Sequence, residues 1–198
     1  MLSLNRVDHP FKHAFTDAAF DGDLADELRD SVVGFEDWET SEDGFYRNSL
    51  AHFTSDSVPD TLSHLLTPEV SQQVHEALQE TFQIRLRPGA QMMLNRFDTG
   101  DGTLVHNDFL QDDSHRYFFT HRALLYLNES WDPTMGGVLG IFDDAQATSP
   151  VATIEPRHNT MSAMAMGPAS YHAVSAQSGP ARFSIVWSFC TVDRSHQL

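Results

Sequence analysis

The chain has 198 residues, with 12 Lys plus Arg against 28 Asp plus Glu and a formal net charge of −16. Hydrophobic residues make up 40% and aromatics 11%, enough apolar material for a packed core, which excludes global disorder. Binding to nucleic acid or to an anionic membrane needs a basic patch; a single lysine, Lys12, and scattered arginines supply none.

Residues Met1–Phe15 carry Asp8, Lys12 and several His and Pro, and lack the apolar stretch of a signal peptide. Next, Leu24, Leu28 and Val32 recur every four residues behind Asp21 and Asp23, which predicts a capped amphipathic helix. Ten of the 28 acids fall between Asp21 and Asp43 and read as a solvated acidic face. Thr67-Pro68-Glu69 predicts a helix start, with Thr as cap, Pro in the first turn and Glu at the positive end of the dipole. Val70, Val74, Leu78 and Phe82 form its apolar stripe.

From Ile84 onward the pattern changes to short strands separated by Gly, Pro and Asp breaks. Strands are predicted over Gln91–Phe97, Leu104–Asn107, Ala123–Asn128, Val138–Phe142, Val151–Glu155, Thr160–Met166, His172–Ala176 and Phe183–Cys190. In the last, Phe183, Ile185, Trp187 and Phe189 alternate with Arg182, Ser184, Val186 and Ser188. The aromatic face suits helices, and the small, polar face suits the inside of a cavity. The expectation is one domain over 1–198: mostly helical support over 1–83, then a double-sheet β-fold over 84–191 with the helices buttressing one sheet. No apolar run approaches the roughly 18 residues that span a bilayer. The single Cys190 reads as a small core residue and excludes an internal disulfide, so a cytoplasmic setting is expected. Nothing in the pattern indicates an oligomeric state.

Eleven histidines are too many to be selective one by one, so spacing decides. In His106-Asn107-Asp108, alternation puts His106 and Asp108 on one side of a strand. His172 opens another strand much later. Two imidazoles and a carboxylate form the facial triad of non-haem Fe(II) oxygenases, with three positions left open. Taken alone, His-x-Asp is weak and fits a solvated turn; the surroundings carry the case. Arg182 lies ten residues after His172 on the polar face of the last strand, and its planar fork matches a carboxylate. It reads as the clamp for a dicarboxylate co-substrate, with Tyr126 able to donate a second hydrogen bond or to act as an amphipathic core residue.

Several blocks in order resemble the 2-oxoglutarate- and Fe(II)-dependent dioxygenases, within them the prolyl-4-hydroxylase-like branch. They are Asn95-Arg96-Phe97-Asp98-Thr99-Gly100-Asp101-Gly102 leading to His106-Asn107-Asp108, then Leu125-Tyr126-Leu127-Asn128, Gly136-Gly137-Val138-Leu139, Ile154-Glu155-Pro156, His172-Ala173-Val174 and Arg182-Phe183-Ser184-Ile185. The match covers roughly Gln91 to Phe189. It implies a double-stranded β-helix, or jelly roll. By position it makes His106, Asp108 and His172 the Fe(II) ligands and the catalytic set. It also makes Arg182 and Tyr126 the contacts for 2-oxoglutarate, with O2 as the oxidant. Two departures stand out. Phe97 replaces a tyrosine of the prolyl hydroxylases, and Trp187 falls one position nearer the arginine than usual, an offset that a bulge would absorb. The halogenases of the family replace the iron-binding carboxylate with a small residue; the presence of Asp108 disfavours that chemistry.

The resemblance therefore implies hydroxylation of an unactivated C–H bond in a small molecule such as an amino acid or natural-product intermediate. A peptidyl-prolyl hydroxylase and, from another class, a non-catalytic jelly-roll sensor or binding module are the alternatives. Met93, Asn95 and Phe97 share the site-facing side of their strand with Gln91, and Met164 faces inward on a later one, so these are the expected substrate contacts. Arg96, Arg116, Arg122 and Arg157 read as solvated or salt-bridged surface residues, with a second carboxylate or phosphate contact as the alternative. Asp108–His121 reads as a loop over the cavity mouth, either a lid or a plain connection.

Overall fold

The computed structural model describes residues 1–42, 46–109 and 119–192. In chain order the elements are β1 (Asn5–Val7), β2 (His13–Thr16), α1 (Gly22–Val33), β3 (Glu39–Glu42), β4 (Tyr46–Thr54), α2 (Asp60–Ser63), α3 (Pro68–Phe82), β5 (Gln91–Phe97) and β6 (Gly102–Thr103). They continue with β7 (His121–Tyr126), a 3-10 turn (Pro133–Met135), β8 (Leu139–Ile141), β9 (Ala152–Ile154), β10 (Met161–Ala165), β11 (His172–Val174) and β12 (Arg182–Phe189).

The strands form two antiparallel sheets. The larger runs β1-β2-β10-β7-β12-β5-β4-β3, with β6 paired to the end of β4; the smaller runs β11-β8-β9. Such a double-sheet arrangement with helices on one side is the jelly roll that the sequence predicts. Helix α1 is capped by the Asp21 side chain, which accepts from Asp23 N, and buries Ala25, Leu28 and Val32. Thr67 caps α3 by accepting from Val70 N, and Val70, Val74, Ala77, Leu78 and Phe82 are buried. Both apolar stripes lie on the outer face of the large sheet, in one core with Met92, Leu94, Leu125, Ile185, Trp187 and Phe189. A second cluster fills the space between the sheets: Phe97, Tyr126, Leu139, Ile141, Ile154, Met164, Met166 and Val174.

Strand β12 divides the two environments. Trp187 is fully buried on the helix side, while Arg182 and Ser184 are equally buried on the inner side. Its register with β5 runs unbroken from Arg182↔Phe97 to Ser188↔Gln91, so Arg182 aims inward without a bulge. Two other features differ from expectation. Residues 1–83 also hold four strands, among them the nine-residue β4. Its sequence, YRNSLAHFT, lacks clean alternation; β3 pairs it along one edge, and β5 followed by β6 pairs it along the other. Second, Leu104–Asn107 is not a strand: β6 ends at Thr103, and only His106 bridges, to His172.

Candidate active site

The segment after β5 turns sharply and is zipped along β11. Gly100 N donates to Gln177 O at 2.8 Å, Gln177 N donates to Asp101 O at 2.8 Å, and Val174 N donates to Thr103 Oγ1 at 2.8 Å. The zip ends in a reciprocal pair: His106 N to His172 O at 3.0 Å and His172 N to His106 O at 2.9 Å. Residues that exchange both bonds lie directly opposite, with side chains on the same face. The two imidazoles accordingly stand 4.4 Å apart, centroid to centroid. Asp108 follows two residues on and joins them.

Ligand atoms of His106, Asp108 and His172 all lie within 4.8 Å of one another. His106 Nε2 is 3.8 Å from Asp108 Oδ1, and His172 Nε2 is 3.4 Å from Asp108 Oδ2. Each imidazole donates its Nδ1–H to a carbonyl two residues upstream, His106 to Leu104 O at 2.7 Å and His172 to Ser170 O at 2.8 Å. A carbonyl only accepts, so this sets the tautomer and turns both Nε2 lone pairs toward the carboxylate. Burial and the neighbouring His172 push His106 below its ordinary pKa, against its bond to Leu104. Burial opposes ionisation of Asp108, but the adjacent His172 ring and the charge of Arg122 outweigh it and hold the carboxyl well below the usual range. Three electron-pair donors thus converge, two nitrogen and one oxygen, a set that suits a divalent first-row metal such as Fe(II).

The triad opens into a cavity of about 260 Å³. Its walls include Met93, Asn95, Phe97 and Met164, together with Leu124, Leu139, Val174 and Val186. Asn48, which the sequence did not single out, donates from Nδ2 to Asn95 Oδ1 at 2.6 Å, and its own Oδ1 is buried without a partner among the described residues. Arg122 lines the same cavity and donates from Nη1 to Asp108 Oδ2 at 2.5 Å. It is therefore a half-buried, salt-bridged cavity residue and not a solvated one. Its parity with Tyr126 on β7 was the available signal. The segment Leu110–Phe118, with Arg116 and most of the expected loop over the mouth, lies outside the described residues.

Arg182 does not line this cavity but faces the ring of Phe97, a wall residue, at 5.0 Å, and the ring of Tyr126 at 4.9 Å. It is 1% exposed, and none of its three side-chain nitrogens has a hydrogen-bond partner among the described residues. Burial pushes its pKa down, against the neighbouring Tyr126. The Tyr126 hydroxyl pairs with Ser162 Oγ at 2.9 Å, and Ser184 Oγ, on the same face of β12 as Arg182, is buried with no partner among the described residues. A buried cation with no acceptor is costly unless an anion completes it. A carboxylate of 2-oxoglutarate fits that requirement. Gly137 makes the position possible: at φ +68 it packs so closely that a Cβ there would stand 2.7 Å from Arg182 Cδ.

A model of the 2OG-Fe(II) oxygenase superfamily matches residues 92–189. Among curated proteins, prolyl 3-hydroxylase OGFOD1 of Mus musculus is 32% identical over 95 residues, 46% of this chain and 16% of the mouse protein. The chain thus spans about a sixth of that relative's length. A prolyl-4-hydroxylase of Pseudomonas putida superposes with a TM-score of 0.72 at 19% identity, covering 89% of this chain and 91% of the other. A prolyl hydroxylase of Trichoplax adhaerens, solved with a hypoxia inducible factor peptide fragment, gives 0.70 at 14% identity over 89% and 83%. HygX of Streptomyces hygroscopicus, solved with nickel and 2-oxoglutarate, gives 0.63 at 12% identity over 91% and 83%. The inward-facing strand residues and the family match agree: residues 92–189 of this chain belong to the 2OG-Fe(II) oxygenase superfamily, and the chain carries the fold of its prolyl-4-hydroxylase-like branch.

Proposed function

We propose that the chain hydroxylates a C–H bond of a small molecule, with His106, Asp108 and His172 holding the iron. The observation that carries this reading is the convergence of two tautomer-fixed Nε2 atoms and one carboxylate on a single cavity. Arg182 is the receptor for the distal carboxylate of 2-oxoglutarate; Tyr126 and Ser184 add hydroxyl donors, and Phe97 covers the guanidinium. When bound, the iron and its co-substrate supply the oxidising power. The protein's part is to fix the donors, shield the oxidant from water behind Leu124, Leu139, Val174 and Val186, and hold the substrate against Met93, Asn95, Phe97 and Met164. A cavity of about 260 Å³ suits a compact substrate, since ligand sites commonly run from about 300 to 1,000 Å³.

Prolyl hydroxylation of a protein is the second reading, supported by the mouse relative and by the Trichoplax adhaerens structure with its peptide. Phe97, where prolyl hydroxylases carry a tyrosine, removes one polar contact and weighs against it. Three experiments test the assignment. Anaerobic Fe(II) with 2-oxoglutarate is expected to give a weak visible charge-transfer band that His172→Ala abolishes; an unchanged band in that variant sinks the ligand set. Succinate release, screened on free amino acids and on proline-containing peptides, separates the two substrates. Arg182→Ala is expected to raise the 2-oxoglutarate requirement roughly ten- to a hundredfold while metal still binds.

A further inference from the structure

Asn48 and Asn95 meet on the inner face of the large sheet. Asn95 stands opposite Leu50, so Asn48, two residues before Leu50 on β4, lies diagonally beside it with its side chain on the same face. Both are more than nine-tenths buried, and both line the cavity of the triad. Asn48 Nδ2 donates to Asn95 Oδ1 at 2.6 Å. Beyond that bond, Asn48 Oδ1 is buried with no donor, and Asn95 Nδ2 finds no acceptor, among the described residues. Turning both amides over exchanges the two roles and still leaves one acceptor beside one donor; turning one alone sets like atoms together.

We propose that this pair determines substrate specificity by taking a neutral amide edge, which donates its N–H to one asparagine and accepts at its C=O from the other. The proposal rests on the oxygenase reading of the cavity and names the class of its substrate: a lactam or a primary carboxamide. Both present N–H and C=O on one side. A trans peptide bond points them to opposite sides, so one peptide unit cannot serve both asparagines. The unpaired Oδ1 of Asn48 favours a ligand with an N–H, since its desolvation is already complete and a donor recovers the loss. The rest of the wall favours a neutral ligand. Among the described lining residues, charge is confined to the triad and to Arg122, which is paired with Asp108. Away from the metal, an ammonium or carboxylate on the substrate finds no counter-charge there, and an unpaired buried charge is costly. Leu50, Met93 and Phe97 flank the pair and suit the hydrocarbon part of such a molecule.

Three probes of similar size test the pair: 2-pyrrolidinone offers donor and acceptor, N-methyl-2-pyrrolidinone an acceptor alone, and pyrrolidinium a donor alone. Binding is read on protein loaded with Mn(II) and 2-oxoglutarate, without turnover, from the faster relaxation of probe protons near the manganese. The native protein is expected to bind 2-pyrrolidinone at least about tenfold more tightly than either relative. Asn48→Asp replaces an amide by a group that only accepts, so Asn95 turns its Nδ2 toward the new carboxylate and both free positions become acceptors. That variant is expected to prefer pyrrolidinium over 2-pyrrolidinone. A pair that only braces the sheet keeps its mutual bond in Asn48→Asp and leaves the probe order unchanged; that result, or equal binding of the three probes to the native protein, overturns the proposal. Should Asn48→Asp not fold, Asn95→Asp carries the same expectation, because its carboxylate keeps the bond from Asn48 Nδ2 and again leaves two acceptors. Tighter binding of N-acetylproline methylamide than of 2-pyrrolidinone, lost in either variant, assigns the pair to a peptide and overturns the lactam or carboxamide class. Failure of the underlying metal reading has a different signature: saturation transfer from the protein shows the probes bound, yet Mn(II) leaves their relaxation unchanged.

Discussion

At the scale of single residues, close approach sets the site's tolerances. Gly137 sits at φ +68, and an added Cβ would fall 2.3 Å from Gln177 Oε1 and 2.7 Å from Arg182 Cδ. Gly137→Ala is expected to cost roughly 1–3 kcal/mol in urea unfolding and to raise the 2-oxoglutarate requirement, because Arg182 must shift. His121 illustrates another cost. Thr120 Oγ1 donates to Phe189 O and accepts from Thr191 N, so it accepts the Nδ1–H of a neutral His121. Burial, helped by the charge of Lys12, lowers the His121 pKa to about 3. Unfolded, the ring returns to about 6.5. Between about 3 and 6.5 the unfolded chain binds the extra proton, so stability falls as pH drops through that window and is insensitive to this group above it. Urea unfolding from pH 7 to 4 is expected to be steeper in the native protein than in His121→Leu by up to one proton per molecule. Equal slopes would show that His121 is protonated in the fold.

At the scale of elements, the helices support the site without entering it. Leu78 is fully buried in the outer core, away from the cavity lining. Leu78→Ala is expected to cost about 2–5 kcal/mol in chemical denaturation. In the folded fraction it is expected to leave the Fe(II)–2-oxoglutarate band intact. A lost band would mean that α3 controls the metal centre and does not merely cover the sheet. The segment from Gly100 to His106 is the opposite case. It has almost no regular structure of its own, yet its hydrogen bonds to β11 and the residues after it bring His106 opposite His172.

For the whole molecule, the site joins segments that are distant in the chain: β5 and its following turn, β7, β11 and β12. Ligands that bind only the native state stabilise all of them together, by about 2.7 kcal/mol at a hundred times the Kd. In a domain of this size that corresponds to a rise in Tm of roughly 5–10 °C. Mn(II) with 2-oxoglutarate is expected to produce such a rise in thermal melting and to lose most of it in His172→Ala; an equal rise in that variant would mean the metal sits elsewhere.

Local pattern was legible wherever one face of an element meets one environment. The stripe Val70–Phe82 and the alternation along β12 each follow from helix or strand periodicity, and the ordered blocks carried the family, with His106 and Asp108 named by spacing although they lie on no strand. Other features depend on partners that no local window contains. Strand β4 is stabilised by β3, β5 and β6, so its own alternation is poor. Arg122 looks like any surface arginine until β7 is seen between β10 and β12. Asn48 becomes a cavity residue only through Asn95 on the next strand. Side-chain parity is a property of a single strand and can be read in order; which strands neighbour one another, and which buried donor finds an acceptor, is settled by pairing between residues as distant in the chain as Lys12 and Ala165, which only the folded chain brings together.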